Sequence, residues 1–159
     1  MKRMTFGLCA LMVCFLLSSC DLLGIGQSPA KKIEKVAKDI SEHGEDWTID
    51  EWADAQRIVV EAVVDFGNSD PDQKDYDEFS DAMTSWVEAL NELDSSDKIN
   101  KIVSRISKAN EKLRKEFKND KDFKSRAKSA FKKYEKIIED YGTDEDLAGF
   151  RQVARSFDI

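Results

Sequence analysis

From Ser28 onward the apolar residues recur three and four apart, and no segment alternates with a period of two among β-branched residues. That spacing gathers apolar side chains on one face of a helix, whereas a half-buried strand needs strict alternation. The first stripe is Ile33, Val36, Ala37 and Ile40, ending near Gly44. The second is Ala55, Ile58, Val59, Ala62, Val63 and Phe66, with Gly67 placed to stop the helix. Tyr76, Phe79, Met83, Trp86, Leu90 and Leu93 make the third. Ile99, Ile102, Ile106, Ala109 and Leu113 have the spacing of a seam in an antiparallel pair or coiled coil. A fifth stripe runs from Phe123 through Ala127, Ala130, Phe131, Tyr134, Ile137 and Ile138 to Tyr141, before Gly142. The last holds Leu147, Phe150, Val153, Ala154 and Phe157. The pattern predicts one all-α domain, a compact bundle of five or six amphipathic helices over residues 28–157.

Local punctuation agrees with the stripes. Ser28 is placed to cap a helix with Pro29 at its first position. Thr48-Ile49-Asp50-Glu51 has the form of a capping box, and Trp47 and Trp52 around it have the spacing of a hydrophobic staple. Asp70-Pro71-Asp72-Gln73 opens a third helix, Asn119-Asp120 marks a break, and Thr143 caps the last helix. Seven Gly and two Pro are too few for a turn-dense β-sandwich, and 36% charged residues exclude a polytopic membrane protein. No internal repeat of fixed period is present.

The N-terminal segment has a different character. Lys2 and Arg3 precede an apolar run from Met4 to Leu17, interrupted only by Thr5 and Gly7. As a helix that run covers about 21 Å, short of the roughly 30 Å hydrocarbon core of a bilayer. A basic start, a short apolar run and small residues make the pattern of a secretory signal. Its end, Leu17-Ser18-Ser19-Cys20, resembles the lipobox of bacterial lipoproteins: an aliphatic residue, two small ones, then cysteine.

The resemblance implies cleavage between Ser19 and Cys20, so residues 1–19 are a signal peptide. It also implies a diacylglycerol thioether on Cys20 and a fatty acyl group such as palmitate on its freed amine. Membrane lipid is then a partner through Cys20, since two or more acyl chains anchor stably where one does not. Cys9 and Cys14 leave with the signal, so no free thiol or disulfide remains for thiol catalysis or a cysteine metal site. Residues 20–27 become a short tether that keeps the body close to the inner or outer membrane of the cell envelope. Asp21 alone before Leu22-Leu23-Gly24-Ile25-Gly26 satisfies cleanly neither the pattern of inner-membrane retention, an Asp after the lipidated Cys, nor that of surface export, an acidic run.

Charge is segregated along the body. Residues 41–97 hold eighteen Asp and Glu against Arg57 and Lys74, while residues 98–140 hold fifteen Lys and Arg against seven acids. One reading lays the basic fourth and fifth helices against the acidic second and third, setting the register of the bundle. A second turns the basic pair toward anionic headgroups or an acidic partner. Nucleic acid is not expected as a partner of an exported, net negative chain.

Residues that carry chemistry are sparse. His43 is the only histidine, and beside Gly44 it reads as a helix-end residue interacting with the dipole, in preference to a metal ligand with Asp39, Glu42, Glu45 or Asp46. Ser125-Arg126-Ala127-Lys128 and Ser129-Ala130-Phe131-Lys132 fit Ser-x-x-Lys, without the companion motifs of acyl-enzyme hydrolases. An EF-hand loop from Asp70 fails at Lys74 and Asp75, where an acid or Asn and then Gly are needed. Trp47, Trp52 and Trp86 could form a sugar-stacking platform, but their positions are explained by the staple and a core stripe. No catalytic residue, metal site or cofactor is therefore expected. The leading expectation is a non-enzymatic, membrane-anchored module acting on an envelope protein partner as accessory subunit, assembly factor or inhibitor. The alternatives are a small envelope hydrolase with a carboxylate site and a surface ligand- or glycan-binding lipoprotein.

Overall fold

A computed structural model describes residues 27–156. The signal, Cys20 and all of the tether but Gln27 lie outside the described residues, as does Phe157. Six helices follow in order: α1 (Pro29–His43), α2 (Ile49–Asn68), α3 (Gln73–Glu92), α4 (Ile99–Asn119), α5 (Lys121–Tyr141) and α6 (Asp144–Ser156). No strand occurs among the described residues, and the expected all-α bundle is what the chain forms.

Every helix but α4, whose start at Lys98 has no side-chain cap, begins where a side chain satisfies backbone N–H groups left free there. The Lys31 N–H donates to Ser28 Oγ at 3.4 Å, ahead of Pro29. The box at α2 is closed both ways: the Glu51 N–H donates to Thr48 Oγ1 at 3.2 Å, and the Thr48 N–H donates to Glu51 Oε2 at 2.7 Å. Trp47 and Trp52 meet edge to face at 4.9 Å, completing the staple. Asp72 and Asp75 form a second capping box at α3. The Thr143 and Asp146 N–H groups likewise donate to each other's side chains at α6. Asp120 ends α4 and caps α5, accepting from the Phe123 N–H at 2.9 Å.

Gly67 is not the helix stop that its position suggests. The helix runs on to Asn68, and Ser69 closes it with Oγ donating to the Phe66 carbonyl at 2.7 Å. Gly67 is instead buried inside α2, where an added Cβ would fall 2.6 Å from the Ala130 carbonyl oxygen of α5. The missing side chain lets two helix backbones touch.

α2 is the hub, packed against α1, α4 and α5, while α3 lies mainly along α1. The pair Lys32–Asp65 sets α1 against the end of α2, and Ser41 Oγ donating to Glu92 joins the last turns of α1 and α3. Trp52, Phe79, Phe123, Ile33, Ile40, Ile102, Leu113 and Val59 are fully enclosed. At one end Phe66 stacks on Phe79 at 4.1 Å, with Tyr134 edge-on to both. At pairwise values of roughly 1 kcal/mol for aromatic contacts beyond area burial, this cluster fixes how α2, α3 and α5 meet.

The fourth stripe is buried as expected, at Ile102, Ile106, Ala109 and Leu113. Its main partner is the acidic α2, as the reading that lays basic helices against acidic ones expects. Of the two kinds of seam expected, it is not the antiparallel pair. α4 and α5 each pack more extensively on α2 than on one another. Lys98, Lys112 and Glu116 reach Asp46, Asp50 and Arg57 in turn, so α4 descends in the same sense as α2. The break at Asp120 therefore redirects the chain across α2 without folding it back as a hairpin.

Candidate interaction surface

The two charged stretches meet only in part. Around the start of α2, Lys98 Nζ lies 2.8 Å from Asp46 and 3.7 Å from Glu45. Lys112 Nζ is 2.8 Å from Asp50, and Arg105 donates to the Glu45 carbonyl at 3.2 Å. The Lys98 and Lys112 ammonium groups, hydrogen-bonded to them, hold Asp46 and Asp50 below the usual carboxylate range. These exposed pairs guide register and contribute little stability. Further down, Arg57 bridges Asp54 and Glu116 at 2.9 Å each, with its side chain 17% exposed. Here the signs are reversed, the base coming from the acidic stretch and the acid from the basic one. Gln56 of α2 and Asn110 of α4 are buried with their carbonyl oxygens unpaired among the described residues.

α5 behaves otherwise. Lys121, Lys124, Lys128, Lys132 and Lys136 are all exposed and fall within about 120° of arc, opposite the buried Phe123, Ala127, Ala130, Ile137 and Ile138. None of the five has an ion-pair partner among the described residues. The two acids on the same arc are already engaged: Glu135 and Glu139 hold Arg151 of α6 at 2.6 and 3.0 Å. The result is a predominantly basic ribbon about 22 Å long, five lysines against two carboxylates that share one arginine. On α3, Asp77, Asp81 and Glu88 form an exposed ribbon of the opposite sign.

The residues singled out for chemistry do not converge. His43 ends α1 in solvent, its Nε2 3.8 Å from Glu42. It borders a shallow depression of about 200 Å³ shared with Ser41, Glu45, Asp46, Glu92 and Leu93. No three His, Cys, Asp or Glu side chains among the described residues are grouped to hold a metal. Ser125 and Ser129 sit exposed on α5. Trp52 and Trp86 are buried at 0% and 2% exposure, which removes the sugar-stacking platform. Asp72 of the suspected calcium segment is the N-cap of α3. Among the described residues no helix is long and apolar enough to cross a membrane.

The surface chemistry adds one pH dependence. Burial pushes the Tyr76 hydroxyl up to about 12, helped by the negative charges of Asp146 and Asp77. The neutral phenol is favoured in the fold, so its contribution is complete below the unfolded value near 10 and is lost as pH rises through about 12. Tyr76→Phe should therefore move the alkaline unfolding midpoint upward, read by circular dichroism alongside tyrosinate absorbance. An unchanged midpoint would detach Tyr76 from alkaline unfolding. No protein-family model, curated protein or solved structure matches the chain.

Proposed function

We propose that this chain is a lipid-anchored protein of the bacterial envelope, inner or outer membrane, whose helical body is a non-enzymatic interaction module for an envelope protein. The observation that carries the reading is Leu17-Ser18-Ser19-Cys20 behind a basic start and a short apolar run. It identifies Cys20 as the lipidated residue and the Ser19–Cys20 bond as the point of cleavage. Fixing the body at a membrane raises its effective concentration toward other membrane proteins. The body's two ribbons of opposite charge support the module reading, because electrostatic complementarity confers specificity and fast association.

The test is metabolic labelling with an alkyne fatty acid, followed by mass spectrometry of the N-terminus and cross-linking pulldown from native membranes. Label should enter the wild-type chain at Cys20 and be lost in Cys20→Ala. A bare Cys20 thiol in the mature chain, or residues 1–19 still attached, would overturn the anchor. A partner recovered equally with both chains would show that the lipid does not create the encounter.

A further inference from the structure

We infer that the lysine ribbon of α5 is a docking face for an anionic bilayer, on which the body lies down beside its own anchor. The inference rests on the proposed function only for how the body reaches the membrane; the face itself is argued from the fold. Lys121, Lys124, Lys128, Lys132 and Lys136 present five exposed cations on one arc, free of ion-pair partners among the described residues. Of the acids on that arc, Glu135 and Glu139 share Arg151, which offsets one of their two charges and leaves the arc strongly net positive.

The start of α1 lies at the end of α2 that also meets α5. Lys32, one turn into α1, lies 3.1 Å from Asp65 near the end of α2. Two residues further along α2, Gly67 rests against Ala130 at the middle of α5. The root of residues 20–27 and the middle of α5 thus share one end of α2. Because α1 packs on α2 and α3 and the lysines point away from α2, the way from Ser28 to the lipid passes two helix thicknesses, about 20–24 Å. The seven residues between Cys20 and Ser28, reaching about 25 Å when extended, just span it. Acyl chains on Cys20 can therefore be in the bilayer while α5 rests on it.

The ribbon is suited to headgroups and not to insertion. Its arc carries no large apolar side chain; the one exposed large hydrophobic among the described residues, Val103, is on α4. Contact would be made by ammonium groups with lipid phosphates, which is salt-sensitive and reversible. The exposed acids of α3 cannot approach the same surface favourably, so they remain available to a protein partner.

The test uses the chain from Asp21 onward, which lacks Cys20 and retains α1 to α6, with a cooperative melt by circular dichroism required before binding is measured. Co-sedimentation is measured with sucrose-loaded vesicles of phosphatidylcholine alone and of phosphatidylcholine with one-third phosphatidylglycerol. Binding is expected only to the anionic vesicles, weakening as salt rises. Lys124→Gln/Lys128→Gln/Lys132→Gln should lower the partition coefficient about a hundredfold, while Lys101→Gln/Lys108→Gln/Lys118→Gln on α4 should change it far less. Equal losses from the two triple variants, or no preference for anionic vesicles, would overturn the docking face. Retention of the wild-type chain on an acidic polypeptide resin but not on anionic vesicles would overturn it in favour of a protein ligand. Because this chain carries no lipid, its result is separable from the labelling of Cys20.

Discussion

Gly67→Ala should destabilise the body by about 2–3 kcal/mol, lowering the melting temperature by about 10 °C in a domain of this size. The sign is the informative part. In an exposed helix interior the same exchange stabilises by up to about 1 kcal/mol, since glycine is the poorer helix former. Here the new methyl would sit 2.6 Å from the Ala130 carbonyl oxygen and 3.1 Å from its carbonyl carbon. Both are backbone atoms of α5, so no rotamer change relieves the overlap, and the helix must move away as a unit. Removing the Ala130 side chain should not rescue the variant, because the carbonyl remains. Gly44→Ala is the control: its closest contact would be the Ile40 Cγ2 methyl at 3.3 Å, and the loss should be small. Melts followed by circular dichroism decide the matter. Gly67→Ala as stable as Gly44→Ala would mean that α2 and α5 do not touch there.

Gly67 also marks where sequence reading loses its grip. Features decided within a few residues were legible: the Thr48–Glu51 box, the Trp47–Trp52 staple, the break at Asp120 and the buried stripes. Each is set by spacing along one helix, and the chain itself displays that spacing. A glycine at the end of an apolar stripe fits both a helix stop and a close approach between helices. The choice depends on α5, whose Ala130 is 63 residues away. The seam of α4 is legible as a seam, and the charge contrast points it toward the acidic α2, but the apolar residues Ile102, Ile106 and Leu113 alone would suit any groove. The burial of Gln56 and Asn110 is hidden by their polarity, although Gln56 falls four after Trp52 and three before Val59 on the buried face. Charge segregation was plain in the composition. Helical spacing could also have resolved the α5 lysines into a ribbon, whereas the engagement of Glu135 and Glu139 by Arg151 needed the fold.

Ile106→Asp should cost about 4 kcal/mol or more at neutral pH, a large share of the 5–15 kcal/mol typical of a domain. Ile106 is 3% exposed in the middle of α4, so the exchange removes an aliphatic side chain and puts a carboxylate in its place. An uncompensated buried carboxylate takes up a proton more readily in the fold than in the unfolded chain. Its folded pKa is raised, so the penalty is smallest below the unfolded value near 4 and grows as pH rises through the folded one. The variant should therefore regain part of its stability in mild acid, a signature that a purely steric defect would not produce. Lys108→Asp places the same carboxylate two residues on, at an exposed position, and should stay within about 0.5 kcal/mol of the parent. Paired thermal melts at neutral and mildly acidic pH test both expectations. If the two variants melted alike, α4 would not turn Ile106 inward. Its packing on α2, and with it the outward direction of the charged faces that follow, would have to be redrawn.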